Sequence, residues 1–347
     1  MPLSKIQTIG NQVIPNLGRR NLVINGAMQI HQRAATNVHN DSAVDRYTLI
    51  KNNLDSADFS TKHQVITDNP PFSDALEVKC TVADTGSGTG AQSNELIRIR
   101  MRLEANTLQR LQYGTASARS SKLSFWVKSN LTDTFSVGLT TQDGTSQNIG
   151  FTYTIAQANT WQKVTLTVPA NTSGTINNDN GNGMMLVWGL TVGGNFKGTA
   201  NTTWGNETAT RNLTGHTANI ASSTNNNFYL TGVQWEVGDS ATDFEHRSFG
   251  EELFSCQRYY YQMAYNSSRR FGIDGLYSNG TGAGLNVMFT HPVPMRAGPT
   301  VTPGSAMGGT TSFSNDETHI YMYTTNHSTG RVGVETSSGT TTVSAEL

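Results

Sequence analysis

Apolar and polar residues alternate along most of this chain, in short runs separated by Gly, Asn and Asp. Successive side chains of a strand point to opposite faces of a sheet, so this period of two predicts strands with one buried face. Such runs occupy residues 76–82, 97–101, 123–127, 135–139, 164–168 and 228–237. Strands at this density predict an all-β fold, a β-sandwich or jelly roll. The alternation changes phase at Thr231 and Gly232, which predicts a β-bulge.

The composition agrees with many short strands and argues against several classes of partner. Only 14% of residues are charged and 35% are hydrophobic, whereas a globular chain usually carries about a quarter charged residues. A net charge of -1 gives no field that would attract nucleic acid or an anionic membrane, so we expect neither partner. No run reaches the roughly 20 apolar residues of a membrane helix. Residues Met1–Gly10 show no signal peptide, so synthesis in a host cytoplasm is expected.

Breaks in the pattern predict four segments. Residues 1–35 form an N-terminal attachment leader, residues 36–245 the jelly-roll sandwich, residues 246–265 a connecting helix and residues 266–347 a small C-terminal β-domain. The leader has too few apolar residues to fold alone, so it should pack on the next domain or on another subunit. In the C-terminal domain, residues 286–289, 320–323 and 332–334 are predicted strands. The prolines between residues 292 and 303 predict an edge or loop, because proline lacks the amide that a central strand needs.

The clearest helix runs from Gly250 to about Met263. Ser248 and Glu251 have the spacing of a capping box at its start. One narrow apolar stripe follows the helical period and forms the candidate oligomer interface: Leu253, Cys256, Tyr260 and Met263. The stripe either packs on its own sandwich or meets its copies around a threefold axis. Three turns are too few to establish a coiled coil.

The sequence contains no motif of a known catalytic, cofactor or metal site, so we expect a protein that is not an enzyme and needs no cofactor. The loop at residues 177–183 offers oxygen ligands for calcium but lacks the terminal Glu of an EF-hand. Cys80 and Cys256 are expected to be buried free thiols. Trp126 and Trp161 either stack on sugar rings or cover a second core face or a subunit interface. The candidate glycan contacts lie late in the chain: His319, Tyr321, Tyr323 and His327.

Two stretches resemble a widespread group of phage and prophage tail-fibre-like proteins. One is Asn21–Arg33 (NLVINGAMQIHQR) followed by Val44–Tyr47 (VDRY), although Trp is common where Tyr47 stands. The other is Val233–Tyr261 (VQWEVGDSATDFEHRSFGEELFSCQRYYY), which is the more specific match. The resemblance implies a virion structural protein, often trimeric, whose body is a jelly roll like that of carbohydrate-binding modules. It brings no catalytic residues with it.

Together these features predict a tail fibre or receptor-binding appendage that attaches a phage to its host, with surface polysaccharide as the ligand. The expected partners are further copies of the chain in a trimer and other tail proteins bound through the leader. One alternative is an adaptor, baseplate or head-decoration protein with no receptor role. The other is a depolymerase tailspike, which would need a solenoid repeat or paired acids in a groove.

Overall fold

A computed structural model describes residues 19–33, 36–38, 42–54, 56–68, 71–84, 93–199, 201–265, 285–302, 310–325 and 339–347. Two six-stranded antiparallel sheets face each other. Sheet A orders its strands as β1 (Thr36–Val38), β3 (Asp58–Val65), β4 (Asp74–Val82), β12 (Asn227–Val237), β6 (Ser121–Ser129) and β9 (Gln162–Val168). Sheet B orders them as β11 (Asn201–Asn206), β8 (Gln147–Thr154), β7 (Thr134–Thr141), β10 (Asn182–Val192), β5 (Leu96–Glu104) and β2 (Thr48–Asn52). The chain is therefore an all-β protein with a jelly-roll sandwich.

The inner faces of the two sheets form one apolar core, and the alternating runs of the sequence supply it. Trp188 of β10, Trp235 of β12 and Phe125 of β6 are fully buried there. Burial of each such side chain contributes about 1.5–3 kcal/mol. The six strands predicted from the alternation are all confirmed. Residues 193–208 contain the edge strand β11, which leads into the single turn α1 (Ala209–Asn212).

The predicted bulge in β12 is confirmed. The pairing of β12 with β6 shifts register between Thr231 and Gln234, and Gly232 has a φ of +60°. A Cβ on Gly232 would lie 2.5 Å from the ring of Phe72. The bulge therefore requires glycine for two reasons. Glycine adopts a positive φ without strain, and it leaves room for the ring of Phe72 against its Cα.

The described part of the leader, residues 19–33, packs on the sandwich of its own chain. Leu22 donates its amide to the Trp235 carbonyl over 2.8 Å, and Val233 donates to the Gly26 carbonyl over 2.9 Å. A Cβ on Gly26 would lie 2.1 Å from the Val233 carbonyl oxygen, so only glycine permits this approach. Leu22, Val23 and Met28 join the sandwich core. Residues 1–18, and with them most of the predicted attachment leader, lie outside the described residues.

The two stretches that resemble tail-fibre proteins bind each other. The Glu245 carboxylate accepts the amides of Arg20 and Asn21 over 3.0 and 2.8 Å. The Glu252 carboxylate accepts the amide of Asn25 over 2.6 Å and pairs with Arg247 over 3.2 Å. These acidic residues therefore hold the N-terminal segment in place, which is a structural role.

The predicted helix is only partly correct. Helix α2 (Phe249–Gln257) begins with the expected capping box, but it ends at Gln257 instead of Met263. The next residues form strand β13 (Tyr260–Tyr265), which pairs with β18 (Gly339–Ser344). Consecutive tyrosines favour a strand, and pairing with a distant strand satisfies their backbone. The prediction of a helix that continues to Met263 is wrong.

The candidate oligomer stripe is therefore not one helical face. Leu253 and Cys256 lie on α2, whereas Tyr260 and Met263 lie on β13. Cys256 and Tyr260 are buried inside this chain, 1% and 7% exposed, and Leu253 is half-buried. Both Cys80 and Cys256 are buried free thiols, as predicted. The trimer itself stays a prediction.

Two three-stranded sheets make up the C-terminal region. One orders β13, β18 and β15 (Thr300–Thr302), and the other orders β14 (Leu285–Thr290), β17 (His319–Thr325) and β16 (Thr310–Asn315). The proline-rich stretch ends in β15, an edge strand, as predicted. The predicted strand at residues 332–334 lies outside the described residues. These two sheets share a small apolar core, which is formed by Tyr261, Met295, Ile320, Val343 and Ala345.

Charged residues join the C-terminal region to the sandwich. The guanidinium of Arg258 makes two contacts of 2.8 Å with the Glu104 carboxylate at the end of β5. Arg33 and Arg46 both bind the Glu346 carboxylate. Their guanidinium groups also lie over tyrosine rings of the segment that follows α2, Arg33 over Tyr260 at 3.6 Å and Arg46 over Tyr259 at 3.4 Å.

Candidate functional site

Aromatic side chains gather on the outer face of sheet A, and we call them the aromatic face. Strand alternation places some of them there: Phe125 and Phe228 point into the core, so Trp126 and Tyr229 point outward. Loops supply the others. The members of the aromatic face are Phe72, Trp126, Trp161, Tyr229 and Phe244.

One end of the aromatic face is a charged and aromatic cluster built around Lys128. Its ammonium group lies 4.9 Å from the centre of the Trp161 ring and 4.8 Å from that of Tyr229. The two rings meet edge to face, with 6.2 Å between their centres. Asp68 accepts from the Trp161 indole over 2.9 Å and from Lys128 over 2.7 Å. Cation–π and hydrogen-bond contacts therefore fix the orientation of the Trp161 ring.

The Asp68 carboxylate of this cluster is charged at neutral pH. Partial burial of Asp68 acts to raise its pKa, but hydrogen bonds from Lys128 and Trp161 outweigh burial and lower the pKa of Asp68. Tyr229 donates its hydroxyl to Glu77 over 2.8 Å. Burial, followed by this hydrogen bond, raises the pKa of Tyr229, so it stays a neutral donor. The cluster therefore presents acceptors and donors of fixed protonation around two rings.

The other end of the aromatic face opens into a cavity of about 550 Å³. Phe72 is in its wall, and its ring centre lies 5.0 Å from that of Phe244 and 6.5 Å from that of Trp126. The volume falls within the range of small-molecule sites. Apolar and polar groups share its lining: Ala27, Gln29, Ile66, Thr67, Pro71, Phe72, Ser73 and His246.

Half-exposed rings beside carboxylates and a lysine suit a ligand that has both apolar faces and many hydroxyl groups. Trp126, Trp161 and Tyr229 are each half-buried. The indole and phenol carry apolar surface with a polar tip, so they bind ligands of mixed character. Asp68 is half exposed at 51% and its oxygens can accept from a ligand hydroxyl. Sugars have this combination of ring faces and hydroxyls.

For Trp126 and Trp161 the structure shows the second of the two interpretations, packing on a second core, and stacking on sugar rings stays a prediction. Both tryptophans pack against a small second core formed by Ile66, Phe72 and Ala75, and both keep part of their surface exposed. The sequence reasoning missed Asp68, Phe72 and Phe244. They come from turns, whose residues have no periodicity, and only the fold brings them beside β6 and β12.

The candidate glycan contacts of the C-terminal region lie elsewhere. Tyr321 is 41% exposed on β17, and its ring centre lies 5.9 Å from that of His319. Its partner across the sheet is Met288 of β14, which is also exposed. Tyr323 belongs to the same strand, and His327 lies outside the described residues. These residues stay predicted contacts.

One hydroxyl–imidazole pair of the described residues, Ser136 and His216, is closed off from solvent. Ser136 lies 3.0 Å from Nδ1 of His216, but both are fully buried, and Nε2 of His216 is bound to the Ala218 carbonyl. That pair holds a loop against sheet B. Within the described ranges no three His, Cys, Asp or Glu side chains converge as metal ligands, and no helix is long and apolar enough to cross a membrane.

No protein-family model matches the chain, and no curated protein sequence is significantly similar to it. Several solved structures do resemble it, among them a domain of a phage tailspike. The enzymatically active domain of tailspike protein 4 from bacteriophage CBA120 aligns at 11% identity with a TM-score of 0.33. That alignment covers 63% of this chain and 22% of the tailspike chain.

Carbohydrate-binding modules are also among the similar structures. A family 11 module of a cellulosomal cellulase from Clostridium thermocellum aligns at 12% identity and a TM-score of 0.30, over 61% of this chain and 99% of the module. The module TmCBM61, solved with β-1,4-galactotriose, aligns at 8% identity and a TM-score of 0.27, over 63% of this chain and 99% of the module.

Proposed function

We propose that this chain is a subunit of a phage tail fibre or another virion appendage, and that its aromatic face binds a glycan on the host cell surface. The observation that carries the proposal is the cluster of Trp161, Tyr229 and Lys128. Two half-exposed rings are held in a fixed orientation there, with the charged oxygens of Asp68 at their edge. The subunit is proposed to bind and not to cleave.

Sugar rings stack on aromatic rings through their C–H faces, and their hydroxyls need donors and acceptors at the ring edge. Preorganised groups bind more tightly because little side-chain entropy is lost on binding. Trp161 is preorganised by its hydrogen bond to Asp68. The adjoining cavity, with Gln29, Thr67 and Ser73 in its lining, could take a further unit of an oligosaccharide.

The virion assignment is supported by the resemblance of Asn21–Arg33 and Val233–Tyr261 to tail-fibre-like proteins. In this chain the two stretches bind each other through Glu245 and Glu252. A shared folding element explains why such a pattern would recur in subunits that bind different receptors. A fibre needs only weak individual sites, because several copies on one particle bind together and multiply the affinity.

Adsorption to host cells tests the proposal. Trp161→Ala should weaken binding of the purified protein to host cells or host polysaccharide by about 1–2 kcal/mol per site, roughly 5–30-fold. Phe249→Ala is the matched control, because Phe249 is 60% exposed on α2 and is not a member of the aromatic face. The control should bind like the wild type.

Three results would contradict the proposal or a part of it. A wild-type protein that does not adsorb to host cells would favour an adaptor or a decoration protein. New reducing ends in polysaccharide incubated with the protein would show a depolymerase. Equal binding by Trp161→Ala and wild type would exclude the aromatic face as the site.

A further inference from the structure

Three arginines form a row on sheet B, on the side opposite the core. Ile97, Ile99 and Met101 of β5 point into the core, so Arg98, Arg100 and Arg102 point outward. Alternate residues of a strand lie about 6.6 Å apart, so the row spans roughly 13 Å. All three side chains are half-buried. We call this set the arginine row.

The neighbours of the arginine row on the adjacent strands are uncharged. They are Thr48 and Val187 beside Arg100, Ile50 and Gly189 beside Arg98, and Met185 beside Arg102. Within the described residues, neither Arg98 nor Arg100 forms a salt bridge or a side-chain hydrogen bond. Like charges side by side without a partner destabilise a sheet. Burial, followed by the charges of Arg102 and Arg98, lowers the pKa of Arg100 to about 10.

A cavity of about 240 Å³ lies at one end of the row, with Arg100 and Arg102 in its wall. The hydroxyls of Ser42 and Thr48 also line it and lie 2.8 Å apart. The acid at its rim, Glu346, is already bound by Arg33 and Arg46, and Arg102 donates to the Leu347 carbonyl. Arg100 and the two hydroxyls are therefore the groups left for an anion.

A second cavity, of about 280 Å³, lies at the other end of the row and has Arg98 in its wall. Asn148 is 1% exposed and lines this cavity. Its Nδ2 donates to the Thr208 carbonyl over 2.9 Å, but its Oδ1 has no hydrogen-bond partner among the described residues. A buried acceptor without a donor is unfavourable unless a ligand supplies one. Phe196 and Glu207 also line this cavity.

We infer that the outer face of sheet B binds an acidic polysaccharide, with the arginine row holding its oxyanions and the Asn148 cavity accepting from its hydroxyls. Guanidinium groups bind carboxylates and sulfates through paired hydrogen bonds, and either anion fits. The two cavities are lined by more positive than negative side chains: Arg33, Arg46, Arg98, Arg100 and Arg102 against Glu207 and Glu346. This inference goes beyond the proposed function, because the site lies on the other sheet and does not depend on the aromatic face.

Matched oligosaccharides test the inference by calorimetry. We expect oligogalacturonate to bind the wild type and its fully methyl-esterified form, which lacks the charge, to bind at least about tenfold more weakly. A sulfated oligogalactan and the unsulfated galactan form the second arm, which distinguishes sulfate from carboxylate. Binding to the charged forms should weaken as salt is raised.

The double variant Arg98→Gln/Arg100→Gln should lose about 10- to 100-fold in affinity for the charged oligosaccharide. Lys79→Gln/Arg119→Gln is the control, because it removes two exposed positive charges elsewhere and should bind like the wild type. Inorganic sulfate should also raise the melting temperature of the wild type more than that of the row variant at equal ionic strength. Loss of two repelling charges should leave the row variant at least as stable as the wild type.

Equal binding of the charged and esterified forms, or unchanged binding by the row variant, would overturn the inference. Neither result bears on the aromatic face, which Trp161→Ala tests with host cells. Conversely, if Trp161→Ala adsorbs normally while the row variant loses the charged oligosaccharide, the aromatic-face proposal fails and the arginine site stands.

Discussion

The pair of Glu104 and Arg258 provides a test of how the C-terminal region is held to the sandwich. Both guanidinium contacts are 2.8 Å, but the partners are buried unequally. Glu104 is 1% exposed along its side chain and Arg258 is 29% exposed. Replacing Arg258 and replacing Glu104 should therefore lower the free energy of unfolding by different amounts. A carboxylate left without Arg258 stays shielded from water, whereas a guanidinium left without Glu104 is still hydrated.

Arg258→Met leaves a buried carboxylate that keeps side-chain hydrogen bonds from Asn106, over 3.3 Å, and from the Tyr259 hydroxyl, but no positive charge. An uncompensated buried charge costs about 3–5 kcal/mol of unfolding free energy. Glu104→Gln leaves a guanidinium that reaches water and the Pro294 carbonyl at 3.2 Å, so a loss of about 1–2 kcal/mol is expected. In the double variant Glu104→Gln/Arg258→Met the charge is gone, and the cost should fall below that of Arg258→Met alone.

Urea unfolding followed by tryptophan fluorescence measures these differences, with the change in midpoint converted through a common slope. A coupling free energy of about 2 kcal/mol or more is expected from the double-mutant cycle. Lys122→Met is the control, because Lys122 is partly exposed to solvent and hydrogen-bonds the Thr167 hydroxyl of the neighbouring strand, with no acidic partner among the described residues. Equal costs for the two single variants, or additive costs in the double variant, would refute the argument from unequal burial.

Two further perturbations follow from the fold. Burial lowers the pKa of His216 from 6.5 to about 4, so the unfolded state binds a proton first as the pH falls. Stability should therefore drop between about pH 6.5 and pH 4, by up to about 3 kcal/mol, and His216→Gln should flatten a plot of urea midpoint against pH. Gly232→Ala should displace Phe72 and lower the melting temperature, since alanine is strained at a φ of +60°. Gly250→Ala is the control, because a Cβ there would meet open space, and it should leave the melting temperature unchanged. An equal fall in the melting temperature of both variants would contradict the role of the bulge.

The strands were predictable because their signal is local. In β5 and β6 successive residues point to opposite faces of the sheet. The resulting period of two can therefore be seen in the sequence of one strand, whichever strand pairs with it. The bulge was predictable for the same reason, since the phase change and Gly232 stand side by side in the sequence. The capping box of α2 was equally local, with Ser248 and Glu251 three residues apart.

The end of α2 was not predictable from its own residues. The stripe from Leu253 to Met263 fits a helix by spacing, but Tyr260–Tyr265 pairs with Gly339–Ser344, more than 70 residues further along the chain. A partner at that distance supplies backbone hydrogen bonds that no local pattern records. The same limit applies to the leader, where nothing in Asn21 or Asn25 indicates that Glu245 and Glu252 accept their amides.

The sequence by itself determined the all-β class, the sandwich and the outward placement of Trp126, because each depends on alternation along one strand. Tertiary structure alone decided the two proposed binding surfaces. Asp68 and Phe72 reach the aromatic face from turns, and the arginine row becomes a site only beside the cavities that its neighbours leave. A binding site is a set of groups that are close in space, and the distances between strands and turns are set by packing, which sequence spacing does not encode.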